Sequence, residues 1–179
     1  MTSRGGTASA GLGRRLGASV YEALLIAALL IGIGFALLPL LTPTLGGAGA
    51  PAPRTLYLPS PGARAWSGAL LCAACGAYCI GLWSGGRRTL PMQTWRLELK
   101  TTAGLPLSLA AACVRFLACS IGPLFALLAY AALQPLGLGR FALPLLALNY
   151  LWALFDRERA FLQDRIAGTR LSLRLSSHG

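Results

Sequence analysis

Residues 23–41 read ALLIAALLIGIGFALLPLL, nineteen consecutive positions without a charge. At about 1.5 Å of rise per residue such a run covers a hydrocarbon core roughly 30 Å thick. It is therefore read as a transmembrane helix, the first span, at about 20–41. Arg14 and Arg15 before it and the small residues Gly47 to Ala50 after it also fit a cleaved signal peptide. Against that rival, the run exceeds the roughly 7 to 15 residues of an apolar signal core. The chain beyond it continues as further membrane segment, not as an exported domain.

Outward from this run the pattern repeats. A second span at about 66–83 is free of charge and bracketed by Trp66 and Trp83, as expected for indole rings at both headgroup layers. A third falls within 107–133, where Arg115 is the one charge and Pro123 predicts a kink. The fourth, about 140–155, is short: an uncharged run of fifteen residues from Phe141 to Phe155, about 22 Å as a helix. A re-entrant or interfacial helix is its alternative.

Composition agrees. Of 179 residues, 55% are hydrophobic and 12% charged, with a mean hydropathy of +0.63, whereas soluble domains carry about 25% charged residues. The formal net charge of +11 comes from 15 Arg and one Lys against five acids. No basic stripe interleaved with aromatics appears, so nucleic acid is not an expected partner; the arginines are expected to set topology and meet anionic lipid headgroups of the bilayer. Twelve Lys and Arg residues collect on one side of the alternating spans and three on the other, leaving Arg115 aside. Positive-inside bias then places both termini in the cytoplasm, which requires an even number of spans.

The loop from Thr42 to Ala65 is rich in proline and glycine and reads as an irregular exoplasmic connection. Thr94 to Lys100 instead alternates Trp95, Leu97 and Leu99 with Arg96, Glu98 and Lys100, and Leu171, Leu173 and Leu175 repeat the period of two. Both stretches fall on the cytoplasmic side and are predicted to pair as a two-stranded ribbon, since a lone strand leaves its backbone groups unmatched. The expected fold class is an all-α membrane protein: a four-helix transmembrane bundle with a small cytoplasmic β-ribbon.

Glu22 lies seven residues after Arg15, on nearly the same helix face and about 10 Å deeper. A charge at that depth is costly and is expected to face the bundle, paired or protonated. Arg115, about 10 Å into the third span, is its expected partner, and Asn149 in the fourth falls at a similar level. Glu22, Arg115 and Asn149 form the candidate intramembrane polar site. It reads either as a contact that fixes helix packing or as a gated cavity where Glu22 exchanges a proton or cation.

Cys72, Cys75 and Cys79 share one face of the second span, but no histidine lies near them and the sole His178 is at the C-terminus. The helix is one of small residues suited to close packing, so neither metal, cofactor nor thiol catalysis is expected. No phosphate-binding loop, nucleophile elbow or HExxH is present, and an enzyme is not expected.

Three separated pieces, Arg15-Leu16-Gly17-Ala18 with Glu22, Thr89 to Ser108 followed by Arg115, and Asp164-Arg165-Ile166-Ala167-Gly168-Thr169-Arg170, resemble the RDD family of small membrane proteins. The family's named charges look like Arg15, Glu22 and Asp164, with Glu22 standing where the family has an intramembrane Asp and Gln93 where many relatives carry a basic residue. The resemblance implies a cytoplasmic tail 1–15, an RDD-like transmembrane domain 16–175 and a C-terminal tail 176–179. It also implies a multi-pass protein of the bacterial inner membrane. A transport role has been proposed for the family, which makes an unknown solute or ion the expected partner; a homo-oligomer is compatible. Membrane scaffolding is the alternative. Asp164 is expected to pair with Arg15 on the cytoplasmic side.

Overall fold

A computed structural model describes residues 10–41 and 59–173. Leu175, the tail 176–179, most of the 1–15 tail and the 42–58 portion of the proline-rich loop lie outside the described residues. The chain forms two units, one of Ala23–Tyr78 and the other of the remaining described residues.

Among the described residues three helical stretches, Leu12–Pro39, Pro61–Gly86 and Leu109–Leu136, are long and apolar enough to cross a membrane. The first is α1 (Leu12–Leu41), which starts well before residue 20 because Arg14 and Arg15 join the helix. The second is α2 (Pro61–Trp83), opened by a proline, whose missing N–H costs nothing in a first turn. In the unit Ala23–Tyr78, Leu24, Ile31, Phe35 and Trp66 are exposed, a pattern that suits lipid as solvent and not water.

The third stretch is two helices, α4 (Leu109–Cys119) and α5 (Ile121–Leu133), meeting at Ser120. Ser108 caps the first, its hydroxyl accepting from the Ala111 N–H at 3.2 Å. The break precedes Pro123 because proline brings no N–H to the carbonyl four residues back, that of Cys119.

The expected fourth helix is corrected. Residues 139–154 are a 3-10 segment (Gly139–Ala147), one turn of α-helix, α6 (Leu148–Leu151), and a second 3-10 turn (Trp152–Leu154). Pro144 sits inside the first of these and denies it a backbone donor. The segment packs along α5. A Cβ on Gly122 would stand 3.1 Å from the carbonyl oxygens of both Leu145 and Leu146, so the close approach depends on glycine.

Between the second and third stretches lie α3 (Leu90–Thr94) and β1 (Leu97–Thr101). The short helix α7 (Leu162–Ile166) precedes β2 (Thr169–Leu173). The strands pair antiparallel with Leu97 opposite Leu173, Leu99 opposite Leu171 and Thr101 opposite Thr169. This leucine face is turned inward, with Leu97, Leu99 and Leu171 buried. The ribbon starts later than the alternation suggests. Thr94 ends α3, Trp95 is its C-cap, and Arg96 takes a left-handed turn at φ 52° before the strand begins. The Trp95 indole lies instead over Gly17 of α1, where a Cβ would stand 2.9 Å from its ring carbons.

Candidate functional site

The polar centre of the larger unit is built on Asp164, the third residue of α7, whose side chain is fully buried. Helical geometry turns it inward while its neighbour Arg165 faces out. Two guanidinium groups converge on its carboxylate. Arg15, from the first turn of α1, donates from Nη2 to Oδ2 at 2.8 Å; Arg115, from the middle of α4, donates from Nη1 to Oδ1. Arg115 Nη1 also donates to the Thr169 hydroxyl at 2.7 Å, linking the node to the start of β2.

Arg15 makes two further contacts. Its Nη1 donates to the Arg159 carbonyl at 3.0 Å, and its guanidinium lies 4.5 Å from the centroid of the buried Phe161 ring. That ring meets Tyr150 edge-on, with centroids 5.1 Å apart. The guanidinium of Arg115 lies 5.1 Å from the centroid of the Trp83 ring. Both arginines are buried, so each cation is matched by carboxylate, hydroxyl or carbonyl oxygen and an aromatic face, as burial of a charge requires.

The expected direct pair of Glu22 with Arg115 is not what the structure holds. Asp164 takes Arg115, and Glu22 accepts from Trp83 Nε1 at 3.4 Å, with the Thr89 hydroxyl a second hydrogen-bonding neighbour. Trp83 is thus the intermediary: its ring face meets Arg115 and its ring N–H meets Glu22. The charge of Arg115 acts on Glu22 across this gap without a hydrogen bond between them.

Asn149 lies elsewhere. Its Nδ2 donates at 3.0 Å to the carbonyls of both Ala118 and Cys119, at the break between α4 and α5. The Cys119 carbonyl is the one that Pro123 leaves without a helical donor, so this amide completes an interrupted helix and not the ionic node.

The structure therefore brings Arg15, Arg115 and Asp164 together, sets Glu22 beside them through Trp83, and separates Asn149. Thr169, Phe161 and the bridging role of Trp83 escape a reading of the sequence alone. Thr169 is visible there as part of the Asp164–Arg170 piece but with no role attached to it; nothing in local pattern singles out Phe161. Among the described residues no group of three or more His, Cys, Asp or Glu side chains is placed to hold a metal.

No curated protein and no solved structure matches this chain. The model of the RDD family matches residues 9–168, a range that includes Arg15, Glu22, Arg115 and Asp164. With apolar helices of crossing length and a match over most of its length, the chain belongs to the RDD family of membrane proteins.

Proposed function

We propose that this RDD-family protein exchanges a proton or small cation across a bacterial inner membrane, with Glu22 as the group that binds and releases it. One observation carries the reading. Asp164 accepts from both buried arginines, while Glu22, roughly 15 Å along α1 from Leu12, has an indole and a hydroxyl as its hydrogen-bonding neighbours. A carboxylate held by neutral donors can change its occupancy without breaking an ion pair, and intramembrane carboxylates of this kind mark ion and proton pathways.

The topology that goes with this has both termini in the cytoplasm and residues 139–154 as a fourth crossing. The ribbon supports it, because β1 and β2 pair across the sequence that holds the third stretch and this segment. Strands that pair must share a side of the membrane, so the chain between them must return. Segment length also fits. At about 2.0 Å per 3-10 residue and 1.5 Å per α residue, it reaches roughly 30 Å, which a uniform α-helix of that length would not.

The test is flux in proteoliposomes reporting internal pH and cation content. Glu22→Gln, which still accepts from Trp83, is expected to abolish exchange and Glu22→Asp to retain it. Unchanged flux in Glu22→Gln removes Glu22 from the mechanism. A second reading, a scaffold or assembly partner without transport, draws on the exposed Val20, Leu24, Ile31 and Phe35 of α1, which offer a face to another membrane helix as well as to lipid. Wild-type protein that moves neither protons nor cations favours it. Neither reading requires covalent chemistry.

A further inference from the structure

A cavity of about 640 Å³ opens between β2, α7 and the segment 157–160, within the roughly 300–1,000 Å³ range of small-ligand sites. Its lining carries five arginines, at 15, 157, 159, 165 and 170, against the two carboxylates of Glu158 and Asp164, an excess of three positive charges. We propose that it binds a phosphate-class oxyanion, at a site separate from Glu22 and independent of the exchange reading.

The carboxylates do not neutralise the lining. Asp164 is taken by Arg15 and Arg115, and Glu158 by Arg165 at 3.2 Å. Arg157, Arg159 and Arg170 have no carboxylate within ion-pair distance among the described residues. The register sets Arg170 opposite Lys100, itself paired with Glu98 at 2.7 Å, so no acidic side chain stands opposite Arg170 across the ribbon.

One further observation points to a ligand. Thr169 accepts from Arg115 and so keeps its own O–H to donate, and Thr102 and Ser172 add hydroxyls to the lining. The wall is preformed: Asp156 Oδ2 accepts from the N–H groups of Glu158 at 3.1 Å and Ala160 at 2.9 Å. Arg15 holds the carbonyl of Arg159, whose backbone is left-handed at φ 52°. Planar guanidinium forks suit phosphate oxygens, and an excess of three charges suits a polyanion better than a monocarboxylate.

A phosphorylated solute and a phospholipid headgroup share this chemistry, and two arms separate them. The full chain in neutral phosphatidylcholine nanodiscs is titrated with inorganic pyrophosphate by calorimetry. In parallel, retention of phosphatidic acid from mixed nanodiscs is counted by native mass spectrometry. Each arm compares Arg157→Gln/Arg170→Gln with Arg14→Gln/Arg96→Gln, which removes the same charge outside the cavity. All four side chains are exposed, and unchanged thermal midpoints check folding. The cavity pair is expected to weaken binding about a hundredfold, two lost charge-assisted bonds' worth, and the control pair less than about twofold. An effect in the first arm identifies a soluble phosphate, and in the second a headgroup. Equal weakening by both pairs, or no binding by wild type in either arm, overturns the proposal.

Discussion

Replacing Asp164 with Asn tests the buried node most directly. The side chain is fully buried between Arg15 and Arg115, themselves 6% and 4% exposed. Asparagine keeps nearly the same shape but offers one acceptor oxygen where two guanidinium groups need two, and turns an NH2 donor toward the other. It also removes the one negative charge in direct contact with two cations. Breaking a buried ion pair from one side costs about 3–5 kcal/mol. At 2–4 °C per kcal/mol for a chain of this size, the apparent midpoint falls by roughly 6–20 °C. The assay is the fraction of monodisperse full-length protein remaining in detergent after heating at a fixed rate, which keeps irreversible unfolding comparable between variants. Glu158→Gln is the control. It breaks the Arg165–Glu158 pair, whose side chains are 53% and 75% exposed, and exposed pairs contribute about 0–1 kcal/mol. Adding Arg115→Met to Asp164→Asn removes one uncompensated charge and is expected to recover part of the loss. A midpoint for Asp164→Asn within about 2 °C of wild type would refute the claim that this carboxylate holds the two arginines in place.

Asn149→Leu leaves the Ala118 and Cys119 carbonyls without their amide donor and is expected to destabilise by about 1–3 kcal/mol. Pro123→Ala in the same background supplies an N–H for Cys119 and should restore part of it; a double variant no more stable than Asn149→Leu argues against the capping role. Gly17→Ala drives a methyl group into the Trp95 ring, at a cost of about 1–3 kcal/mol toward the lower end, since that indole is partly exposed and can shift. A double-mutant cycle with Trp95→Ala should show the two changes to be non-additive, and simple additivity would disprove the contact. Thr169→Val keeps the shape while removing the hydroxyl that accepts from Arg115. The expected loss is about 1.5–3 kcal/mol, read as a midpoint shift smaller than that of Asp164→Asn.

What local sequence determined is set by solvent and period. Apolar runs of about twenty residues must be helical in lipid because no water satisfies the backbone there, so three stretches of crossing length among the described residues could be placed from composition, the third despite Arg115 within it. The alternation at Leu97 and Leu99, and again at Leu171 and Leu173, was enough to pair two strands distant in sequence, because a single strand has nowhere to send its hydrogen bonds. Segment 139–154 was less legible: a run too short for one helix was visible, but the mixture of 3-10 and α turns around Pro144 depends on its packing against α5. The ionic partners were decided by tertiary structure. Arg115 lies at a depth that suits Glu22, yet α7 folds Asp164 into the same place and offers a buried carboxylate in direct reach, while the Trp83 ring keeps Glu22 one step away. Depth along a helix is a one-dimensional quantity that sequence supplies; which of two carboxylates meets an arginine depends on how separate elements dock, and no local pattern carries that.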